Sequence, residues 1–347
     1  MESGKWSSGR AAQLPSAPSS TPGKRIYAFD DFVVTEVRHI GSGAWGSVKL
    51  VEDINGDPYV VKVIKLEGMS ERAQTFTRAE IEALVTLRGT PGVVYFYNQY
   101  ADSTHLYLLM EYIEGPTVGE YLKRAGLTLT EKYDVLASAA QVLADVHARG
   151  YAHRDIKPDN MIYNMVGGQN RVYVIDFGFA CDLSDYDTEV CTLPLGSPYY
   201  MDFRSQAILD RFTSFRNPDI LKAMDVWGLG ISFYYIWYGR MPAPYRVVST
   251  AGGLAENQME VVHTVDTGSD LLDYVLSGML QVLWQKRPTM QQVADLLRGS
   301  LAMRESVLGA VRDEIVETAI RHSRRNRYRK KGCGKKRAKT RRKSLKR

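Results

Sequence analysis

Residues 153–160 hold several polar side chains that could act together on a phosphate group. They read His-Arg-Asp-Ile-Lys-Pro-Asp-Asn, and an Asp-Phe-Gly sequence begins later, at Asp176. Asp155 can orient an attacking hydroxyl and accept its proton, and Lys157 can neutralise a phosphate in transfer. Asn160 and Asp176 offer the oxygen ligands that Mg²⁺ prefers. This set predicts magnesium-assisted phosphoryl transfer.

A glycine-rich segment lies earlier, where residues 41–48 read Gly-Ser-Gly-Ala-Trp-Gly-Ser-Val. Glycines allow backbone N–H groups to approach phosphate oxygens closely. A dinucleotide-binding fold would begin a helix at Gly46, whereas residues 47–51 alternate like a strand. Taken alone the motif is also compatible with a simple hairpin turn. A strand, a glycine loop and a second strand favour a cover over nucleotide phosphates.

Lys62 interrupts an apolar run, Val60-Val61-Lys62-Val63. A lysine in a buried strand is costly unless it is paired, although a half-exposed strand could turn it towards solvent. Glu80, on a predicted helix from Ser70 to Arg88, is the candidate partner. Glu82 is the rival, but it lies about 200° further round the helix, away from the apolar side.

These motifs, in this order, resemble the eukaryotic-type protein kinases over roughly residues 30–300. The resemblance implies an α+β, bilobal protein kinase-like fold, with a β-rich N-lobe and a helical C-lobe. It also implies ATP and Mg²⁺ as cofactors and proteins as substrates.

Individual roles also follow from the resemblance. Asp155 would be the catalytic base, Lys157 and the Lys62–Glu80 pair would complete the catalytic set, and Asn160 and Asp176 would bind the metal. The hinge would run from Glu111 to Ile113. The ATP-binding residues would be Ile40, Gly41, Ser42, Gly43, Ala44, Trp45, Gly46, Val48, Val60, Lys62, Met110, Glu111, Ile113 and Ile162. A stacked spine and its brace would comprise His153, Phe177, Leu84, Phe96 and Asp225.

The substrate class is indicated by Lys157 and Ser197, which resemble the corresponding positions of serine/threonine kinases. Small-molecule kinases usually carry glycine where Arg154 stands, so they rank lower. A pseudokinase or scaffold that retains the fold is the alternative function.

The sequence departs from the kinase pattern where Met201-Asp202-Phe203-Arg204 replaces Ala-Pro-Glu. The usual glutamate pairs with an arginine matched here by Arg287, and two arginines would repel each other. We therefore expect Arg204 to point outwards or Arg287 to use another carboxylate, with Asp202 as candidate. The missing Ala-Pro-Glu and a long hairpin before Asp176 give a lead towards casein-kinase-1-like enzymes.

Two readings of the activation segment remain open. Arg154 could bind a phosphate on Thr188 or Thr192, through a charge-assisted contact. Alternatively, the segment is ordered without modification.

The periodicity of the chain divides it into segments. Strand-like patterns prevail to Glu114, and helical ones follow Gly115. We expect a disordered Ser/Pro/Gly-rich N-terminus at 1–25, the N-lobe at 26–114 and the C-lobe at 115–300. A helical extension at 301–322 and a disordered basic tail at 323–347 would complete the chain.

The formal charge of +6 conceals an uneven distribution. Residues 321–347 hold 16 Lys/Arg and no acidic residue, which leaves 29 basic against 39 acidic residues before them. The basic end could be a solvated extension, or could bind an import receptor, nucleic acid or an anionic surface. Nuclear or cytoplasmic localisation is expected, with nuclear favoured.

The cysteines and apolar runs bear on the compartment. Cys181, Cys191 and Cys333 cannot build a disulfide framework and form no CxxC pair, which favours a reducing compartment. The apolar run from Val226 to Tyr238 is too short to span a bilayer and predicts a buried helix. The N-terminus lacks the apolar core of a signal peptide.

Overall fold

A computed structural model describes residues 25–30, 32–43, 46–124, 126–164, 171–202, 205–206, 217–242 and 265–298. The chain groups into two units, residues 1–294 and 295–347. Within the second unit, residues 295–298 are described, and they form the end of a helix. Residues 1–24 of the predicted N-terminal segment 1–25 lie outside the described residues, as do the predicted segments 301–322 and 323–347.

The first lobe is an antiparallel sheet with one helix, α1 (Glu71–Thr86). The six strands follow the order β1-β2-β3-β4-β6-β5 across the sheet. Their bounds are Ile26–Ala28 for β1, Val33–Gly43 for β2, Gly46–Glu52 for β3, Pro58–Lys65 for β4, Phe96–Ala101 for β5 and His105–Glu111 for β6.

Alternation along these strands gives the sheet two different faces. Val61 and Val63 lie on one face, in an apolar cluster with Val51, Tyr107 and Tyr27, the last of these from β1. Residues of opposite parity, including Lys62, therefore occupy the other face. The apolar cluster fixes the register that presents Lys62 on that second face.

Helix α1 begins where the sequence predicts. Ser70 is its N-cap, because the hydroxyl accepts the N–H of Ala73. The helix buries Phe76, Ile81 and Leu84, while Glu82 is exposed. Glu80 lies on the buried side and is 4% exposed.

The second lobe is mainly helical. Its helices are α2 (Val118–Arg124), α3 (Leu129–Ala148), α4 (Glu189–Thr192), α5 (Pro218–Tyr238), α6 (Asp270–Met279) and α7 (Met290–Arg298). Its short strands are β7 (Tyr151–Ala152), β8 (Met161–Asn164), β9 (Arg171–Val174) and β10 (Cys181–Asp182), with 3-10 turns at Pro158–Asn160 and Trp284–Lys286. Strands β8 and β9 form one hairpin, and β7 pairs with β10.

Two helices show why this lobe forms where the sequence predicts. Thr128 and Glu131 form a capping box at the start of α3. The apolar run ending at Tyr238 lies in α5, which is buried along most of its length. No helix in the described ranges has the length and apolarity needed to cross a membrane. The architecture confirms the predicted α+β, bilobal fold.

Candidate active site

The glycine-rich segment forms the tip of the β2–β3 hairpin. Gly41 pairs with Val48, and Gly43 pairs with Gly46. A Cβ atom at Gly46 would lie 1.9 Å from the carbonyl oxygen of Val63 on β4, so no larger residue fits there without movement. Ser42 lies within β2, whereas Ala44 and Trp45 lie outside the described residues.

Lys62 contacts one acidic side chain from each lobe. Its Nζ lies 2.5 Å from Oε1 of Glu80 on α1 and 3.4 Å from Oδ1 of Asp176. The lysine side chain is 13% exposed and that of Glu80 4%, whereas Asp176 remains half-exposed. The structure therefore brings together three predicted residues that are far apart in the sequence.

Neighbouring charges stabilise the ionised forms of Lys62 and Asp176. Burial alone would lower the pKa of Lys62, but the carboxylates of Glu80 and Asp176 outweigh it and raise that pKa. Asp176 is only partly desolvated, which would raise its pKa, yet the charges of Lys62 and His153 lower it. Lys62 is thus a cation and Asp176 a carboxylate at neutral pH.

The carboxylate of Asp155 is held by three donors. Nζ of Lys157 lies 2.6 Å and the side-chain nitrogen of Asn160 3.0 Å from Oδ2, and the N–H of Ser197 lies 2.7 Å from Oδ1. Lys157 also donates to the hydroxyl of Ser197 at 2.7 Å. Asp155 is buried, so these contacts fix where its carboxylate points.

Asp225 on α5 braces the backbone that carries Asp155. Its carboxylate accepts the N–H groups of His153 at 2.7 Å and Arg154 at 2.6 Å, and lies 2.9 Å from Nε2 of His147. Arg154 has φ 68°, a left-handed conformation that is costly outside glycine. The two backbone hydrogen bonds offset that cost.

A contact between two rings joins residues 153–160 to the Asp-Phe-Gly segment that begins at Asp176. The His153 and Phe177 rings lie 4.8 Å apart, and Nε2 of His153 lies 3.1 Å from the carbonyl oxygen of Ile175. Asp176 itself has φ 63°, so a strained residue occurs in each segment. Leu84 and Phe96, the other predicted spine residues, are both buried.

The predicted adenine-side residues are placed by strand register. Val60 pairs with Met110, and Val48 pairs with Lys62, so these four share the face of the sheet that carries Lys62. Glu111 ends β6 and its carboxylate accepts the N–H of Tyr95 at 3.2 Å. The remaining predicted residues are Ile113, which is buried, Ile162, which lies on β8, and Ile40, which is 36% exposed.

A family comparison agrees with this geometry. The protein kinase domain model matches residues 34–296. This chain belongs to the protein kinase domain family.

The curated proteins that resemble this chain include some named as serine/threonine-protein kinases. Citron Rho-interacting kinase of Homo sapiens is 30% identical over 227 residues, which is 61% of this chain and 10% of that protein. MAP kinase-interacting serine/threonine-protein kinase mnk-1 of Caenorhabditis elegans is 28% identical over 249 residues, 67% of this chain and 34% of that protein. A Caenorhabditis elegans protein named cAMP-dependent protein kinase, catalytic subunit-like, is 30% identical over 227 residues, 65% of this chain and 52% of that protein.

The relatives define the type of kinase at a coarse level. The chain spans between about a tenth and about half of their lengths. They identify it as a eukaryotic-type serine/threonine kinase, and they do not confirm the lead towards casein-kinase-1-like enzymes.

The segment that replaces Ala-Pro-Glu keeps a buried ion pair. Arg287 donates from Nη1 to Oδ2 of Asp202 at 2.5 Å, as the sequence suggested for this arginine. The hydroxyl of Ser205 also donates to Oδ2 of Asp202. Phe203 and Arg204 lie outside the described residues.

The activation segment, defined here as residues 176–202, has contacts that the sequence did not reveal. The guanidinium of Arg154 donates to the carbonyl oxygens of Val190 and Leu193. Arg72 on α1 contacts Glu189 on α4, with 3.2 Å between Nε and Oε1. The segment is thus contacted by both lobes.

The sequence predicted no disulfide framework, and the described residues hold one bridge outside any CxxC pattern. Cys181 and Cys191 are joined by a disulfide. A bridge between two cysteines ten residues apart matches neither a CxxC pair nor a framework of several bridges. No local sequence pattern marks this pair, because the bond depends on folding that brings β10 next to α4.

Proposed function

We propose that the protein is an ATP-dependent serine/threonine kinase that phosphorylates hydroxyl groups of protein substrates. The observation that carries this proposal is the convergence of Lys62 with Glu80 and Asp176. Protein kinases need the lysine–glutamate pair and the aspartate of Asp-Phe-Gly in place at the same time. Lys62 contacts Glu80 and Asp176 at the same time in this structure.

Asp155 is the proposed catalytic base. Its carboxylate is oriented by Lys157, Asn160 and Ser197 before any substrate arrives. A substrate hydroxyl beside Asp155 would be oriented for attack and would give up its proton to that carboxylate. Lys157, between Asp155 and Ser197, would offset negative charge on the phosphoryl group in transfer.

Lys62 and the glycine-rich hairpin are proposed to hold the phosphates of ATP. Glu80 fixes the position of the Lys62 ammonium, and the glycines leave backbone N–H groups accessible. Val48, Val60 and Met110 would provide the apolar surface for adenine, and the backbone from Glu111 to Ile113 its hydrogen bonds.

The donor set fits the expected magnesium ion. Asp176 is an ionised carboxylate, and Asn160 uses its amide nitrogen towards Asp155, which leaves its oxygen for a cation. A carboxylate and an amide oxygen beside substrate phosphates suit Mg²⁺. The ion would neutralise phosphate charge during transfer.

The deciding experiment is phosphotransfer from ATP to a library of Ser, Thr and Tyr peptides. Lys62→Met and Asp176→Ala should each reduce the rate by at least about 100-fold, because both remove charge from the phosphate site. Lys65→Met is the matched control on the same strand, since Lys65 is 63% exposed and pairs with the exposed Glu67. It should retain nearly full activity.

Three results would contradict the proposal. No detectable phosphotransfer by the wild type or by either variant would favour the scaffold alternative. Transfer confined to tyrosine peptides would contradict the substrate class. Full activity of Lys62→Met would exclude the proposed phosphate contact.

The basic tail is proposed to direct the kinase to the nucleus. The support is the charge of residues 321–347, with 16 basic and no acidic side chains. Deletion of these residues should abolish nuclear accumulation of a fluorescent fusion and leave peptide phosphorylation unchanged. Nuclear accumulation of the truncated protein would contradict this assignment. Salt-sensitive retention on nucleic acid or anionic vesicles would identify the other binding modes.

A further inference from the structure

The disulfide joins two parts of the activation segment that contact different elements. Cys181 lies on β10, and Cys191 lies ten residues later on α4, with 5.2 Å between their Cα atoms. Both cysteines are buried, at 0% and 1% exposure. The bond therefore closes a short loop in the segment that follows Asp176.

At its first end the disulfide lies on β10, which pairs with the strand that leads into residues 153–160. Cys181 pairs with Ala152 of β7, and His153 follows directly in the chain. At its other end, Cys191 adjoins Val190, whose carbonyl oxygen accepts the guanidinium of Arg154. The bond thus connects the strand paired with Ala152, which precedes Arg154, to the helix whose Val190 carbonyl oxygen accepts the Arg154 guanidinium.

The disulfide also packs on the helix that braces the site. Cys181 and Cys191 share an apolar cluster with Ile220, Leu221 and Met224 of α5. Asp225 comes next on that helix and accepts the N–H groups of His153 and Arg154. Movement of α4 away from this cluster would disturb the Arg154 contacts and, through them, the loop that holds Asp155.

We propose that Cys181 and Cys191 form a reversible oxidation site whose substrate is a small-molecule disulfide such as oxidised glutathione. The oxidised pair holds the activation segment in the described conformation, and reduction releases α4 and slows phosphotransfer. The effect on rate rests on the proposed kinase function, whereas the bond and its effect on segment mobility do not.

The exchange proceeds in two balanced steps. One cysteine thiolate attacks a sulfur of the small disulfide, which forms a mixed disulfide and releases one small thiolate. The second cysteine thiolate then attacks the protein sulfur of that mixed bond and displaces the other small thiolate. The protein loses two electrons and two protons, and the small disulfide becomes two thiols.

The surroundings of Cys181 and Cys191 are compatible with both the disulfide and the two reduced thiols. The carbonyl oxygen of Asp182 lies 3.4 Å from Sγ of Cys181 and 3.8 Å from Sγ of Cys191, so it can accept hydrogen bonds from the reduced thiols. Because both sulfurs are buried, exchange requires local opening of the segment. In a reducing compartment such bonds are usually transient and redox-sensing.

The test compares the full chain after treatment with oxidised glutathione and after treatment with dithiothreitol, with each reagent then removed. Denaturing alkylation with mass spectrometry reports the bond, hydrogen exchange reports mobility of residues 181–197, and peptide phosphorylation reports activity. We expect the oxidised protein to exchange more slowly in this range and to phosphorylate several-fold faster.

The variants separate this site from other thiol effects. Cys181→Ala/Cys191→Ala should behave like the reduced wild type under both treatments. Cys333→Ala, which leaves the pair intact, should respond as the wild type does. If no form phosphorylates peptides, the kinase proposal fails. The oxidation proposal is then decided by hydrogen exchange alone.

Two results would overturn the proposal, and neither requires a variant to fold. The first is failure of oxidised glutathione to join Cys181 to Cys191. The second is a bond that forms and leaves both hydrogen exchange and rate unchanged.

Discussion

Nη1 of Arg287 lies 2.5 Å from Oδ2 of Asp202, and the two side chains are 0% and 1% exposed. The guanidinium also donates to the carbonyl oxygens of Ala223 and Gln281 and lies over the ring of Trp227, 4.9 Å from its centroid. Kinases usually place a glutamate where Arg204 stands. The ion pair is therefore kept with a shorter acid placed two residues earlier, and the end of the activation segment remains tied to α5.

Loss of Asp202 should destabilise the protein strongly. Asp202→Ala would leave the Arg287 charge buried without its carboxylate, which costs about 3–5 kcal/mol of unfolding free energy. The midpoint of thermal unfolding should fall by about 10 °C. Calorimetry or the urea midpoint measures the effect.

An exposed ion pair provides the control for Asp202→Ala. Lys222 and Asp219 are 3.2 Å apart but 38% and 62% exposed, so Lys222→Ala should cost less than about 1 kcal/mol. Replacing both buried partners, as in Asp202→Ala/Arg287→Met, should cost less than the sum of the single changes. Strict additivity would contradict a direct coupling between the two residues.

Removal of the Glu80 charge should impair catalysis more than folding. Glu80→Gln keeps the shape of the side chain but weakens its hold on Lys62, and a hydrogen bond to a charged group is worth about 1.5–3 kcal/mol. We expect kcat/KM for ATP to fall about tenfold or more. Steady-state kinetics at varied ATP measures this.

Glu82→Gln is the matched control on the same helix, because Glu82 is exposed. It should leave kcat/KM unchanged. Equal losses in the two variants would show that helix electrostatics, rather than the contact with Lys62, sets the rate.

The contrast between Glu80 and Glu82 shows what the sequence can predict. Helix periodicity places Glu80 on the packed side of α1, and strand alternation places Lys62 on the opposite face from Val61 and Val63. The local motifs and the capping box at Thr128 depend on short spacings, so they too could be predicted. For the same reason the helices predicted at 70–88 and 226–238 and the strand predicted at 47–51 agree with α1, α5 and β3.

Contacts between distant segments were harder to predict. The acceptors of the Arg154 guanidinium are backbone carbonyl oxygens, which every residue carries, so no residue type marks them. The Cys181–Cys191 bond depends on how β10 and α4 pack together, which no local pattern encodes. Asp202 could be proposed as a partner of Arg287 only by proximity to the missing glutamate.

Phosphorylation of the activation segment should not be required for activity. Carbonyl oxygens already accept the Arg154 guanidinium, and Glu189 supplies negative charge towards Arg72. Thr188 and Thr192 are half-buried, and their hydroxyls donate to nearby backbone carbonyl oxygens. Thr188→Ala/Thr192→Ala should therefore retain phosphotransfer within about twofold. Initial rates combined with intact-mass analysis measure this. Loss of activity in the double variant, together with a phosphate on either threonine of the wild type, would favour the other reading.

Acid should weaken the brace formed by Asp225. Burial would raise the pKa of this carboxyl. The effect of burial is outweighed by the hydrogen bond and charge of His147, the charge of His153 and the backbone N–H of His153, so the pKa is lowered. A group whose pKa is lower in the folded state stabilises that state above its unfolded pKa of about 3.9, and the contribution is lost as the pH falls through the lower folded value. Asp225→Asn should therefore unfold at lower urea than the wild type at pH 7, and the gap should narrow below about pH 4.

The same variant separates positioning from folding. Asp225→Asn should lower kcat at temperatures where it remains folded, because the backbone N–H groups of His153 and Arg154 lose a charged acceptor and Asp155 loses its fixed orientation. Lys222→Ala, on the same helix, is the control for general effects on α5. A gap in urea midpoint that stayed constant from pH 7 to about pH 3 would show that the charge of Asp225 does not stabilise the fold.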